Sequence, residues 1–304
     1  MPQHPTAPDA LGTGNLTTTP QPVWQVGALL GEGPVWLPRE RALRFVDIKG
    51  GRLHRYDPAT GGGQTLEVGG NPSFLLPTQD GELLVGWRNE LRLLDDDRLG
   101  EPLIRLDMPD HNRTNDATVD PDGRIWFGTM DDNEAEPTGR VYCLDRGTLH
   151  QTAVSAVVTN GPAISTDGSL LYHVDSGERT IWRFPLTDSP KLEGGEIFIR
   201  LQPDEGYTDG VVVDSEDCLW VALWDGWGVR RYAPDGTLLL HIPFPCARVT
   251  KVAFGGDDLR TAFVTTARTG LSEEQLAEQP LAGSLFALTA PAPGLPLPEA
   301  RLRP

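Results

Sequence analysis

The sequence predicts an all-β protein, a six-bladed β-propeller of four-stranded blades whose ring is closed by an N-terminal strand. Two observations support this fold class. Turn signals recur at intervals of 41 to 49 residues, a spacing that is typical of propeller blades. The marker residues of these turns are Arg39, Asp80, Asp122, Asp167, Glu216 and Asp257. The segments between the turns are short and rich in β-branched and aromatic residues, which excludes helical repeats of similar length.

Each unit has a short apolar segment directly after its turn, and we interpret these segments as strands. They lie at 42–46, 82–86, 124–128, 170–174, 218–222 and 261–265. Another strand follows in five of the units, at 52–56, 139–144, 180–184, 228–232 and 284–288. A third apolar run precedes each turn, as at 117–119 and 210–213, and it is the candidate for the innermost strand of its blade.

The sixth unit shows three strands, so another part of the chain has to complete its blade. We expect residues 22–26, which precede the first unit, to supply the outer strand and to cover an exposed edge. One helix is predicted in this unit, because Ser272 to Gln275 fits a capping box and Pro280 ends the pattern. The predicted division is a disordered tail at 1–21, the propeller at 22–290 and a C-terminal tail at 291–304.

Composition and charge narrow the classes of function. A net charge of −17 argues against nucleic-acid binding, because phosphates require Lys and Arg. No apolar stretch approaches the roughly 20 residues of a membrane span, and the N-terminus lacks the pattern of a secretory signal. Cys143, Cys218 and Cys246 are too few and too far apart for a disulfide framework. We therefore expect a cytoplasmic monomer or weak homodimer with no nucleic-acid or membrane partner.

A polar residue recurs in four units, each time seven positions ahead of a turn. The four residues are Glu32, Asn115, Asn160 and Asp209. The innermost strand of each blade lines the channel of a propeller, so residues at one place in the repeat ring the axis at one end. The other two positions of this ring fall on Ser73 and on Thr250 or Lys251.

These side chains form a plausible site for one hard divalent cation. Glu32 and Asp209 would balance its charge, while Asn160 and Asn115 would add amide oxygens. An all-oxygen set favours calcium, with magnesium, manganese, iron and also zinc as alternatives, because carboxylates bind zinc too. The set is too small to saturate calcium, which leaves positions for water or substrate. The competing interpretation is that Asn and Asp begin these strands because they tolerate turn geometry.

Ten short motifs follow one another along the chain, at 31–36, 112–116, 120–124, 127–130, 160–162, 174–176, 208–211, 219–222, 254–256 and 264–268. In this order they resemble the senescence marker protein/gluconolactonase/regucalcin family of six-bladed propellers. The resemblance covers roughly residues 23–290. It implies a metal-dependent hydrolase that opens the ester bond of sugar lactones such as gluconolactone.

The resemblance also implies roles for individual residues. Glu32, Asn160 and Asp209 would hold the divalent cation, and Asp209 is the candidate general base. Arg113 and Asn115 would contact the sugar, with Asn115 also close to the metal. The cation would polarise the lactone carbonyl and activate water.

One segment departs from the family pattern. In animal members an acidic pair follows Gly-Thr-Met, and its second residue contacts the substrate. Here Met130 is followed by Asp131, Asp132 and Asn133, so Asn133 takes the place of that glutamate with Asp132 beside it. We predict substrate contacts from Asp132 and Asn133; the alternative is a solvated loop at the rim.

Two other functions fit the same predicted fold. A phosphotriesterase or aryl-esterase would use the same cation to polarise a different substrate, and a calcium-binding propeller would keep the cation without catalysis. Trp224 and Trp227 follow a strand and are candidates for stacking on a sugar ring at the mouth of the channel. The identity of the lactone is left open.

Overall fold

The computed structural model describes residues 18–95 and 97–303, so most of the predicted N-terminal tail lies outside the described residues. Within this part of the chain, 24 strands form six antiparallel sheets of four strands each. The sheets are the blades of a six-bladed propeller, which confirms the predicted fold class. Every strand segment predicted above falls on a strand of the structure.

The first strand, β1 (Gln21–Trp24), precedes the blades. Blade 1 contains β2 (Gly31–Leu37), β3 (Ala42–Asp47), β4 (Arg52–Asp57) and β5 (Gly62–Glu67). Blade 2 contains β6 (Pro72–Pro77), β7 (Leu83–Trp87), β8 (Glu90–Asp95) and β9 (Arg98–Arg105). Blade 3 contains β10 (Asn112–Val119), β11 (Ile125–Asp131), β12 (Gly139–Asp145) and β13 (Thr148–Ala156).

Blade 4 contains β14 (Thr159–Ile164), β15 (Leu170–Asp175), β16 (Thr180–Pro185) and β17 (Glu196–Arg200). Blade 5 contains β18 (Tyr207–Val213), β19 (Leu219–Trp224), β20 (Gly228–Tyr232) and β21 (Leu238–Pro243). Blade 6 contains β22 (Val249–Gly255), β23 (Thr261–Thr266), the helix α1 (Glu273–Glu278) and β24 (Leu285–Thr289).

The N-terminal strand closes the ring as predicted. Strand β1 pairs with β24, so that blade 6 has the order β1-β24-β23-β22. Trp24 carries this closure across to blade 1, where its ring centroid lies 5.8 Å from that of Phe45 and 5.4 Å from that of His54. Strand β1 therefore ties the two ends of the propeller together.

The six innermost strands, β2, β6, β10, β14, β18 and β22, contact one another in turn around the channel. Apolar clusters fill the spaces between neighbouring blades. Phe74 and Phe127 meet between blades 2 and 3 with ring centroids 6.0 Å apart, and Trp220 and Phe254 meet between blades 5 and 6 at 5.4 Å. This packing fixes the positions of the inner strands and hence of the side chains at the channel ends.

The helix has the predicted capping box. The Ser272 hydroxyl accepts a hydrogen bond from the Gln275 amide at 3.2 Å, and the Gln275 side chain accepts one from the Ser272 amide at 2.9 Å. These bonds satisfy amide groups that a helix N-terminus would otherwise leave unpaired. No helix in the described ranges is long and apolar enough to cross a membrane.

The C-terminal segment, residues 291–303, crosses one end of the channel. This end is opposite to the predicted ring of Glu32, Asn115, Asn160 and Asp209. It begins at blades 5 and 6, where the Ser215 amide donates to the Pro293 carbonyl at 2.9 Å. It ends at blades 2 and 3, where the Ala300 amide donates to Pro77 at 2.7 Å and the Arg301 amide to Gly123 at 2.8 Å. Between these anchors it lines an apolar inner cavity of about 290 Å³. The segment predicted as a tail therefore packs across the propeller.

Candidate active site

A cavity of about 710 Å³ occupies one end of the channel and collects the polar residues predicted from the repeat. Its lining includes Glu32, Asn115, Asn160 and Asp209, and each of these side chains is buried. They come from blades 1, 3, 4 and 5. The structure therefore brings the predicted ring together.

A bulge in each innermost strand aims these side chains. The pairing with the second strand shifts register at equivalent points of all six blades. Asn115 and Asp209 lie inside their bulges, whereas Glu32 and Asn160 lie directly before theirs. A bulge bends the strand and redirects a side chain. All four residues lie seven positions ahead of a turn. Relative to the bulge, however, Asn115 and Asp209 lie one residue further along the chain than Glu32 and Asn160 do.

The two carboxylates of the ring are held close together in a buried place. Burial, followed by the negative charge of Asp116, raises the pKa of Glu32 to about 7. Burial and then the charges of Glu32 and Asp116 raise the pKa of Asp209 well above its usual range. The Gly33 amide donates to Glu32 Oε2 at 2.8 Å. Ionised together, these carboxylates repel each other, and a bound cation would relieve that repulsion.

The two amides of the ring are oriented by hydrogen bonds. Asn160 Nδ2 donates to Ser176 Oγ at 3.0 Å, which turns Asn160 Oδ1 towards Asn115. Asn115 Nδ2 then donates to Asn160 Oδ1 and to the Thr159 carbonyl, both at 2.8 Å. Because an amide oxygen has two lone pairs, Asn160 Oδ1 keeps one for a cation. Ser176 is thus a contributor that the sequence interpretation did not assign.

Arg113 extends this network to the mouth of the cavity. Its Nη1 donates to Asn115 Oδ1 at 2.6 Å, and its Nε donates to Asp132 Oδ1 at 2.6 Å. Lys49 of blade 1 donates to the same Asp132 carboxylate at 2.6 and 2.7 Å. Burial alone would raise the pKa of Asp132, but the charges and hydrogen bonds of Arg113 and Lys49 lower it. Asp132 therefore joins blades 1 and 3 as a carboxylate.

The loop after β11 places its two predicted substrate residues differently. The Asp131 carboxylate accepts hydrogen bonds from the amides of Asn133 and Glu136, at 2.9 and 2.8 Å, and so closes the loop on itself. Asp132 and Glu134 line the cavity. Asn133 is exposed and lies outside that lining, so the structure does not bring it to the candidate site.

Two further charged residues lie below the ring. Lys251 Nζ forms an ion pair with Asp116 Oδ1, and both side chains are buried. Since the two residues belong to blades 6 and 3, the pair spans the channel. Asp116 follows Asn115 in its motif and Lys251 was one of the ring positions, so the sequence held a signal for both. The alternative Thr250 instead donates to the Gly31 carbonyl at 2.6 Å and holds neighbouring strands together.

The opposite side of the mouth carries an arginine and a tryptophan. Arg248 donates through Nε to Asp225 Oδ1 at 2.8 Å, and its guanidinium lies 4.6 Å from the Trp224 ring centroid. Trp224 and Arg248 line the cavity, whereas Trp227 lies outside the lining and is 47% exposed. Of the two candidate stacking residues, the structure brings only Trp224 to the cavity.

The donor set fits a hard divalent cation. Among the described residues, no three His, Cys, Asp or Glu side chains gather as a group that could hold a metal ion. The candidate set instead combines two carboxylates, Glu32 and Asp209, with the amide oxygen of Asn160. Asp116 Oδ2 is buried with no hydrogen-bond partner in the described part of the chain. Uncompensated buried carboxylate oxygens are what a cation and its water ligands would satisfy.

Similarity to known proteins extends over the whole propeller. Residues 30–268 match the family described as the SMP-30/gluconolactonase/LRE-like region. The chain is 38% identical over 274 residues to a 6-deoxy-6-sulfogluconolactonase of Pseudomonas putida, covering 88% of this chain and 93% of the relative. It is 37% identical over 277 residues to a pentonolactonase of Haloferax volcanii, with the same coverage of 88% and 93%.

A solved structure agrees with these relatives. A calcium-binding protein, regucalcin, from Agrobacterium tumefaciens superposes with a TM-score of 0.89 at 28% identity, covering 94% of this chain and 99% of the other. The shared fold, the matched region and the sequence identities all indicate the same family. The chain therefore belongs to the SMP-30/gluconolactonase/LRE-like family.

Proposed function

We propose that this protein hydrolyses the ester bond of sugar lactones with the help of one divalent cation, for which calcium is the favoured ion. The protein is a gluconolactonase-like enzyme, as relatives 37 and 38% identical to it are lactonases. The observation that carries the proposal is the meeting of Glu32, Asn160 and Asp209 in one buried cavity with Arg113 and Asn115.

The roles of the cation site follow from its side chains. Glu32, Asn160 and Asp209 would hold the ion through oxygen atoms. A divalent cation supplies Lewis-acid polarisation of a carbonyl and lowers the pKa of a water molecule. Asp209 accepts the proton of the attacking water on a carboxylate oxygen.

The sugar would lie between the cation site and the mouth. Arg113 presents its guanidinium in a fixed plane, because Asp132 holds Nε and Asn115 holds Nη1. Such a fork can donate to sugar hydroxyls or to the oxyanion that develops on the lactone. A cavity of about 710 Å³ has room for a pentonolactone or hexonolactone.

Proton release tests this proposal directly. Purified protein would be stripped with a chelator, reloaded with one ion at a time and assayed on pentonolactones, hexonolactones, aryl esters and phosphotriesters. We expect turnover of sugar lactones that disappears on chelation and returns with a divalent ion. Turnover confined to aryl esters or phosphotriesters, or none with any ion, would contradict the proposal.

The base is tested by a pair of matched variants. Asp209→Asn should abolish turnover, because an amide cannot accept the proton, while the variant keeps its fold by circular dichroism. Asp188→Asn makes the same change on an exposed loop and should retain full activity. Equal activity in both variants would remove Asp209 from the mechanism.

The surroundings of the cysteines bear on where the enzyme works. Cys143, Cys218 and Cys246 are all buried free thiols. Burial raises the pKa of Cys143 and of Cys246 to about 12, so both stay protonated and unreactive. Buried free thiols suit the cytoplasm, where we propose that the protein acts. We also propose that it is a monomer or weak homodimer.

A further inference from the structure

The ion pair of Lys251 with Asp116 lies one level below the candidate cation site. Both residues border the apolar inner cavity of about 290 Å³, whereas Glu32 and Asp209 border the polar cavity of about 710 Å³. The side chain of Lys251 is 9% exposed and that of Asp116 is 3% exposed. Burying a charged pair costs desolvation free energy that the attraction between its two charges often does not repay.

The charges at this level act on the carboxylates above. The negative charge of Asp116 raises the pKa of Glu32 and of Asp209, and the positive charge of Lys251 lowers both. Arg113 is also buried beside the site, but Asp132 forms an ion pair with it at 2.6 Å and offsets its charge. The buried charges that remain are the three carboxylates named above and the ammonium of Lys251. Their net charge is −2 when all are ionised, which is the charge that one divalent cation neutralises.

We propose that Lys251 cancels the charge of Asp116 and so holds the net charge of the cation site at −2, the value that one divalent ion neutralises, without either residue binding the ion. This inference rests on the proposed cation site at Glu32, Asn160 and Asp209. Lys251 acts as a fixed counter-charge, because it crosses the channel to Asp116 and is held there by burial. Both are positioning residues that act through the field they impose on the ligands.

The competing role for Asp116 is direct ligation, since its Oδ2 is buried without a partner in the described residues. The two roles predict different outcomes for a double substitution. If Asp116 contributes only charge, removing it together with Lys251 leaves the site at −2 and the affinity nearly unchanged. If Asp116 is a ligand, the double substitution loses affinity as the single one does.

The experiment is calorimetric titration of the chelator-treated protein with Ca²⁺ and with La³⁺ at pH 8. The variants are Lys251→Met, Asp116→Asn and the two combined. We expect Lys251→Met to bind Ca²⁺ about tenfold more tightly, Asp116→Asn about tenfold more weakly, and the double variant within about threefold of the wild type. On a logarithmic scale each single shift should be about one and a half times larger for La³⁺, because Coulomb energy scales with ion charge.

Lys49→Met is the matched control. It removes an equal charge from the mouth of the same cavity, where Lys49 is 32% exposed and paired with Asp132. Solvent screens that position, so Ca²⁺ affinity should change less than threefold. If Lys49→Met changed Ca²⁺ affinity as much as Lys251→Met does, the inference would be overturned, because any cationic residue near the cavity would then have the same effect.

The outcomes separate this inference from the function on which it rests. No ion binding by the wild type would overturn the cation site and the inference together. Binding by the wild type that weakens in Lys251→Met, or that is lost in the double variant, would overturn the inference alone. Thermal unfolding of each variant checks the fold, and if Lys251→Met does not fold, the double variant decides between charge and ligation.

Discussion

The buried position of Glu32 predicts that the cation-free protein loses stability as the pH rises. Its pKa is raised from 4.5 to about 7 in the folded protein, so the folded state binds this proton more tightly than the unfolded chain does. Stability from this proton is fully present below pH 4.5 and is lost as the pH rises through 7. Between pH 5 and pH 8 the loss amounts to about 2 to 3 kcal/mol, because each unit of pKa corresponds to roughly 1.4 kcal/mol.

The assay is urea unfolding of chelator-treated protein between pH 5 and pH 8, followed by circular dichroism. Glu32→Gln is the control, because it keeps the size of the side chain and cannot ionise. The wild-type unfolding free energy, measured relative to this variant, should fall by about 2 to 3 kcal/mol over the range. In Glu32→Gln, Asp209 no longer faces the charge of Glu32, so the pKa of Asp209 is raised less than in the wild type. This enlarges the difference in pH dependence between the two proteins. Buried His54 and His173 titrate equally in both proteins and cancel.

Saturating Ca²⁺ should abolish this loss, since a bound cation favours ionised Glu32. At pH 8 the wild type would then be more stable than Glu32→Gln, because the bound ion stabilises the wild type. Parallel pH profiles for the two cation-free proteins would refute the reasoning, because Glu32 would then titrate as it does in the unfolded chain.

Three other predictions test neighbouring parts of the molecule. Ser176→Ala should weaken Ca²⁺ binding up to about tenfold by freeing the Asn160 amide, with Ser176→Thr restoring it, as calorimetry would show. Asp132→Asn should raise KM several-fold at nearly constant kcat, because Arg113 loses its charged anchor. Removal of residues 1–25 should lower the unfolding temperature by taking β1 from β24, while removal of residues 1–17 should leave it unchanged.

The features that the sequence predicted well are those that repeat. Inner and middle strands carry apolar residues that pack between blades, and their periodic turns expose the register of each unit. Apart from β1, the outer strands were not predicted individually, because they face solvent and need no apolar pattern; β5, for example, is almost wholly exposed. The helix was predicted because its signal is local to Ser272 and Gln275.

Contacts between blades could not be predicted in the same way. In the bridge from Lys49 through Asp132 to Arg113, the first pair lies 83 positions apart in the chain and the second pair 19 positions apart, and no motif connects them. Counting along the chain put Asn133 at the substrate, yet the hydrogen bonds of Asp131 turn the loop so that Asp132 faces the cavity. The packed C-terminal segment was also missed, since its anchors are backbone carbonyls that carry no sequence signal.

The arrangement of the candidate site explains why its polar residues come from separate blades. Glu32 and Asp209 would repel each other, and each alone is costly to bury. Placing them on inner strands that are fixed by the packing between blades lets the large apolar core hold them in position without the ion. Lys251 then offsets the charge of Asp116, so that the buried carboxylates and the ammonium sum to −2 and not to −3. Under the proposed function, a divalent cation would offset the repulsion between the two carboxylates, and the free energy gained in this way would favour its binding.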